Sequence, residues 1–290
     1  MDITLALGGG GARGLAHIGV LRVLEREGYH IRAVAGTSMG GVIAAAYAST
    51  GSSAAVRILM QERLGQELFR ARPDGDGLIG LSAIASRLQE HFQDRTFADL
   101  LLPCAVTAVE IDTGREVVLQ EGDVKAAVLA TIALPGIFPP REHDDQRLVD
   151  GGVVDPVPVR AARNLYRAPV VASVLSPPQE EWADRPSPSP LTPLPVFDLL
   201  ARIRPGRALQ IFVRSMEISE RSFTELRLHV DRPEVIIRPD VAHIALLDAP
   251  DVEEVAKLGE QAAVAALPAL RAQFTFWRRL LRWLGFGRRA

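Results

Sequence analysis

Residues 3–48 read ITLALGGGGARGLAHIGVLRVLEREGYHIRAVAGTSMGGVIAAAYA, two successive copies of one pattern: a short apolar run, a glycine turn and a helical segment. Ile3 to Leu7 is mostly apolar and ends at Gly8-Gly9-Gly10-Gly11. From Ala12 to Glu27, Leu15, Ile18, Leu21 and Leu24 recur at helical spacing, and Gly28 closes the helix. Ile31 to Ala35 is a second apolar run. After the turn Gly36-Thr37-Ser38, the small residues from Met39 to Ala48 predict a second helix. Strand, tight turn and helix in repetition predict parallel strands covered by helices. The expected fold class is α/β, with a mostly parallel central sheet flanked by helices in three layers.

Outward from this stretch, further strands are predicted at Cys104–Glu110, Glu116–Gln120, Arg147–Val149, Val170–Val174 and Val235–Ile237. Helices are predicted at Ser53–Phe69, Leu81–Phe92, Val124–Ile132, Val159–Leu165, near Val196–Met216, and at Val252–Phe274. Residues 1–270 read as one domain. Within it, residues 176–195 are dense in proline and carry Glu180, Glu181, Asp184 and Arg185, which predicts an exposed irregular loop. Residues 271–290 read as a basic amphipathic tail. Phe274, Trp277, Leu280, Leu281 and Leu284 share a face, with Arg278, Arg279 and Arg282 mostly elsewhere, a pattern that suits residues 274–289 to an anionic membrane surface or to packing on the domain.

Composition removes several classes of function. With 290 residues, 48% of them hydrophobic, the chain can bury a sizeable core. A formal net charge of -2 gives no global positive field, so nucleic acid is not an expected partner. Cys104 is the single cysteine, which excludes an intrachain disulfide and a cysteine-based zinc site. It reads as a packed strand residue. Asp74-Gly75-Asp76-Gly77 lacks the further ligands of a calcium loop, and no metal or cofactor is implied. The opening Met1-Asp2 lacks the basic start of an export signal, and no run of about 20 apolar residues is present. A cytoplasmic location is expected, with the tail allowing a peripheral place at the inner membrane surface.

Three motifs carry chemistry. Gly36-Thr37-Ser38-Met39-Gly40 is a G-x-S-x-G sequence between a predicted strand and helix, where a serine hydroxyl projects from a sharp turn. Ser38 is the candidate nucleophile; helix capping is its structural alternative. Gly9-Gly10-Gly11-Ala12-Arg13-Gly14 contains G-x-G-x-x-G, yet no Asp or Glu occurs from Gly28 to Gln61 to hold a ribose, and no Gly-Lys-Ser/Thr follows. That argues against a dinucleotide-binding oxidoreductase. Free backbone N–H groups at a helix start suit a developing oxyanion instead. The third motif, Leu148-Val149-Asp150-Gly151-Gly152, places a carboxylate at a strand end. Asp150 is the candidate base, with His143 or His243 the alternative through a Ser-His-Asp triad.

In this order and combination the three motifs resemble the patatin-like phospholipase family, in its compact bacterial branch. Ala133-Leu134-Pro135-Gly136-Ile137-Phe138-Pro139-Pro140, Pro156-Val157-Pro158 and Ile237-Arg238-Pro239-Asp240 add to the likeness, which spans roughly residues 3–270 and is weakest over 176–195. The resemblance implies a Ser38–Asp150 dyad without histidine and an oxyanion loop of Gly9, Gly10, Gly11, Arg13 and Gly14. It also implies an elbow framed by Gly36 and Gly40, and an aspartate turn of Gly151 and Gly152. The implied activity is hydrolysis of carboxylic ester bonds in phospholipids or lysophospholipids through an acyl-enzyme. Arg13 has two readings, holding the loop or meeting substrate phosphate. Asp155 stands where many relatives carry asparagine; buried beside Asp150 it would raise the pKa of one of the pair. A Ser-His-Asp carboxylesterase and a non-catalytic, membrane-associated regulatory protein are the competing classes. Oligomeric state is not legible.

Overall fold

The computed structural model describes residues 1–64, 82–183 and 204–275. Eight strands form one sheet: β1 (Asp2–Leu7), β2 (His30–Thr37), β3 (Cys104–Glu110), β4 (Glu116–Leu119), β5 (Arg141–His143), β6 (Gln146–Asp150), β7 (Val170–Ser173) and β8 (Val235–Ile237). The order is β5-β6-β3-β2-β1-β7-β8, with β4 also paired to β3. β8, β7, β1, β2 and β3 run parallel, whereas β4 and β6 pair antiparallel to β3 and β5 pairs antiparallel to β6. The sheet is thus mixed and mostly parallel, the expected α/β class.

The helices are α1 (Ala16–Arg26), α2 (Met39–Thr50), α3 (Ser53–Ile58), α4 (Ser82–Phe92), α5 (Val124–Thr131), α6 (Val159–Leu165), α7 (Arg204–Asp231) and α8 (Val252–Ala272). Alternation along the strands assigns them to two layers. Ile3, Leu5 and Leu7 of β1, and Cys104 and Val106 of β3, point into the larger core with α1, α2, α5 and α8. Ala6, Ala35 and Ala105 point the other way, against Val159, Ala161 and Ala162 of α6 and Leu228 of α7. Large residues fill the thick layer, and alanines let the second layer approach closely. Cys104 is buried, as its apolar surroundings suggest, and burial pushes its thiol pKa up.

Three predictions change. The helix expected near Val196–Met216 is α7, which runs on to Asp231. In its second half the helical period lies on the exposed side, at Ile218, Leu226 and Val230, while the buried positions Glu217 and Thr224, each 3% exposed, are polar and Leu228 is apolar, so the expected bounds stop short of the helix. α3 ends at Ile58 and passes into a π-helical stretch, Leu59–Leu64. β5 and its turn, in which Asp144 and Asp145 have φ of 45 and 62, are absent from the sequence reading because three residues give no period to read. Residues 65–81, including Asp74–Gly77, residues 184–203 of the proline-rich segment, and residues 276–290 of the tail lie outside the described residues.

Candidate active site

Strand register brings the first and third motifs together. Thr37, the last residue of β2, pairs with Thr107 of β3, while Asp150, the last residue of β6, pairs with Ala108. Two strands therefore end beside adjacent residues of β3, and each runs directly into a tight turn. Ser38 occupies the first turn with φ 54 and ψ -127, a backbone state that non-glycine residues rarely adopt and that marks a held elbow. The elbow closes because Gly36 and Gly40 meet backbone to backbone. A Cβ on Gly36 would lie 2.2 Å from the Gly40 oxygen, and one on Gly40 2.2 Å from the Leu7 oxygen. Ser38 N–H donates to Thr131 Oγ1 at 2.9 Å, and Thr131 Oγ1 donates to the Thr107 carbonyl at 2.6 Å, tying the elbow to β3.

Ser38 Oγ donates to Asp150 Oδ2 at 2.5 Å. The other carboxylate oxygen accepts from Gly152 N–H at 2.8 Å, which fixes the carboxyl plane. Gly151 is packed on β3, where a Cβ would lie 2.5 Å from the Thr107 oxygen. Asp150 is 3% exposed. Burial pushes its pKa up to about 6, against the opposing pull of the Ser38 and Gly152 hydrogen bonds. No cation contributes to that balance, so the carboxylate is a stronger base than an exposed aspartate.

The glycine loop lies alongside. Gly10 and Gly11 have φ of 151 and 55, and a Cβ on Gly11 would lie 2.1 Å from the Leu246 oxygen. Gly9 N–H is bonded to the Pro156 carbonyl at 2.9 Å, whereas among the described residues the N–H groups of Gly10 and Gly11 have no partner. The five-residue loop expected as the oxyanion site thus narrows to two free amides. Gly14 serves packing, with a Cβ there meeting Met39 at 2.2 Å. Arg13 is inside the protein: its Nε donates to the Ile244 carbonyl and its Nη2 to Glu217 Oε1, both at 2.8 Å. Of its two readings, holding the loop is the one its partners satisfy.

Ser38, Asp150, Gly10 and Gly11 line a cavity of about 400 Å³ whose other walls include Ile132, Leu134, Phe138, Phe212, Phe223 and Leu246. Neither His143 nor His243 lines it. His17 is buried, with Nδ1 2.9 Å from Ser173 Oγ and Nε2 2.8 Å from the Gly8 carbonyl. Burial lowers its pKa to about 4, so it stays neutral and anchors the start of the glycine loop.

The carboxylate expected near Asp150 is corrected. Asp155 is fully buried but faces Arg227, whose Nε lies 3.3 Å from its Oδ1 and whose Nη2 donates to Glu116 Oε2 at 2.6 Å. Burial raises the Asp155 pKa, Arg227 opposes this, and Glu116 and Asp231 add to it; Asp150 is not among its charged neighbours. The group that does face Asp150 is Glu220 of α7, which lines the same cavity. Burial first, and the charge of Asp150 second, push it up to about 8. Its carboxyl also borders the glycine loop, with Oε1 3.3 Å from where a Cβ on Gly9 would stand. The signal for it is the spacing of Glu217, Glu220 and Thr224 along one helix face, legible only once that stretch is known to be helix.

A family model described as patatin-like phospholipase matches residues 5–163, which hold all three motifs. An uncharacterized NTE family protein of Mycobacterium bovis is 32% identical over 92% of this chain and 47% of its own length. Another, from Mycobacterium tuberculosis, is 34% identical over 54% of this chain and 44% of its own. A mouse patatin-like phospholipase domain-containing protein 6 is 33% identical over 59% of this chain and 13% of its own. The chain spans about half the length, or less, of these curated relatives. Among solved structures, VipD of Legionella pneumophila superposes with a TM-score of 0.56 at 12% identity, over 92% of this chain and 66% of that one, a likeness of fold. The match over residues 5–163 covers more than half of the sequence and includes every motif of the site, and the chain belongs to the patatin-like phospholipase family.

Proposed function

We propose that the protein is a serine acyl hydrolase that cleaves carboxylic ester bonds of phospholipids or lysophospholipids through a Ser38–Asp150 dyad. The observation that carries this reading is the 2.5 Å hydrogen bond from Ser38 Oγ to a buried Asp150 carboxylate with no cation beside it among the described residues, at the wall of an apolar cavity. Asp150 accepts the Ser38 proton as Oγ attacks the ester carbonyl carbon. The carbonyl oxygen becomes an oxyanion that receives hydrogen bonds from the Gly10 and Gly11 amides, each such donor contributing about 3 to 4 kcal/mol to the barrier reduction. Collapse expels the alcohol, which takes the proton from Asp150 and leaves the acyl group on Ser38. Water then gives a proton to the regenerated carboxylate and attacks the acyl-enzyme. Collapse of the second oxyanion frees Ser38 Oγ, which recovers its proton, and releases the fatty acid. The apolar walls suit an acyl chain.

Release of fatty acid from mixed phospholipid and lysophospholipid vesicles tests the reading. Wild type should release it and Ser38→Ala should not. Equal release by both proteins would refute the dyad, and loss of release in His143→Ala or His243→Ala would favour the triad.

A further inference from the structure

α7 is mixed in character on the inside and free of charge on the outside. Its inward positions include Glu217 and Thr224, each 3% exposed, beside Val213 and Leu228. Its outward positions carry Ile211 at 68%, Phe212 at 45%, Ile218 at 54%, Phe223 at 41%, Leu226 at 55% and Val230 at 58% exposure. Ser215, Ser219, Ser222 and His229 lie among them. At about 100° per residue these positions fall on one arc, which contains no Asp, Glu, Lys or Arg from Ile211 to Val230. α1 has the ordinary arrangement: Ile18, Leu21 and Leu24 are buried, and the residues that reach solvent, Arg22 and Glu25 in part and Arg26 fully, are charged. An outer face opposite in character to that of α1 is built for surroundings other than water.

Two features say what those surroundings are. Ser215 Oγ donates to the Ile211 carbonyl at 2.8 Å and Ser222 Oγ to the Ile218 carbonyl at 3.1 Å, so these hydroxyls are satisfied within the helix. The face has no tryptophan, tyrosine or arginine of the kind that anchors a protein partner, and its bonded serines need nothing from a neighbour. Hydrocarbon offers no hydrogen bonds and requires none. The face also runs into the Ser38 cavity, because Phe212, Ser215, Ser219 and Phe223 belong to both. A protein bound there would close the cavity, whereas a lipid layer would supply it.

We propose that the outer face of α7 seats the protein on a phospholipid bilayer, with Phe212 and Phe223 at the mouth through which an acyl chain reaches Ser38. What enters the cavity rests on the acyl-hydrolase reading; the seating itself does not. α7 is held in this attitude from behind by the buried Arg13–Glu217 ion pair at 2.8 Å, which links it to the glycine loop.

The experiment is flotation of the full chain with phosphatidylcholine vesicles, carried in the Ser38→Ala background so that turnover does not alter the vesicles. The combined change Ile218→Ser, Leu226→Ser and Val230→Ser, away from the cavity wall, should weaken partitioning at least about tenfold. The same triple change in the catalytic background should leave hydrolysis of a water-soluble short-chain ester as in wild type. A second readout places the contact: an environment-sensitive dye on Ile218→Cys should shift to the blue with vesicles, and on Arg26→Cys it should not. Cys104, the chain's single cysteine, is buried and out of the reagent's reach. Unchanged flotation of the triple variant, or equal dye shifts at both positions, would overturn the proposal. So would a dimer in sedimentation velocity that the triple change splits, with no flotation of either protein. Flotation sensitive to the face, with no short-chain ester hydrolysis by wild type, would uphold the seating and remove the hydrolase reading instead.

Discussion

Asp150 and Asp155 are the same residue type, five positions apart and both buried, yet their surroundings prepare them for opposite work. Asp155 has a cation: Arg227 lies 3.3 Å away and is shared with Glu116 and Asp231. Asp150 has none. Its oxygens accept one hydroxyl and one amide, and its charge in turn raises the pKa of another acid, Glu220. Burial raises both pKa values. Burial raises Asp155 the further of the two, despite Arg227, so basicity does not separate them; contact does, since Asp150 accepts the hydroxyl of Ser38 at the cavity and Asp155 is turned to Arg227.

The largest expected effect breaks the pair apart by function. Asp150→Asn should lower kcat/KM on any hydrolysed ester by about 10² to 10⁴, the scale of lost general-base action, while Asp155→Asn should stay within about threefold of wild type. Steady-state kinetics on both variants decides this, and equal losses would erase the distinction. Stability should sharpen the contrast. Arg227→Ala leaves Asp155, Glu116 and Asp231 without their shared cation and should cost about 3 to 5 kcal/mol in urea unfolding. Fluorophosphonate reactivity per folded molecule should be kept.

Asp150→Asn should instead stabilise. The folded carboxyl titrates near 6 against an ordinary 3.8, so the folded protein binds this proton more tightly than the unfolded chain does. Wild-type stability therefore falls as pH rises from about 4 to 6, and the asparagine variant, spared that loss, should gain about 2 to 3 kcal/mol at pH 7. A melting temperature unchanged or lower at pH 7 would contradict the raised pKa. The same proton governs rate: kcat/KM should climb with pH through about 6, where Asp150 becomes a free base.

The smallest effect concerns Glu220. As its carboxyl ionises near pH 8 it puts a negative charge facing Asp150 and the site of the oxyanion, and wild-type kcat/KM should fall there. Arg13, Glu217 and Arg221 also face this carboxyl. Glu220→Gln should keep the alkaline plateau and leave the limb near 6 in place; loss of activity at every pH would assign Glu220 a different role.

Legibility in the sequence tracks the range of the forces involved. Gly36–Gly40, Gly9–Gly14 and Asp150–Gly152 are turns whose chemistry lies in a few neighbouring residues, so the serine and aspartate that the fold brings into hydrogen bond and the parallel half of the sheet could be read directly. The pairing of Asp155 with Arg227 joins residues far apart in the chain, and no local pattern announces it. The second half of α7 falls outside the expected helix because its apolar positions alternate with serines and charged residues; which side they face, outward, with Glu217 and Thr224 buried, only the fold reveals. Glu217, Glu220 and the bilayer-facing arc are hidden together. Thr131, which holds the Ser38 amide, falls inside a predicted helix but carries no motif.

The central claim is that Ser38 is a nucleophile activated by Asp150. Its most direct test is covalent labelling of purified wild type, Ser38→Ala and Asp150→Asn with a fluorophosphonate probe, read by intact mass. One adduct on wild type, none on Ser38→Ala and a strongly slowed adduct on Asp150→Asn is the predicted result. Equal labelling of wild type and Ser38→Ala, or no labelling of folded wild type, would contradict it.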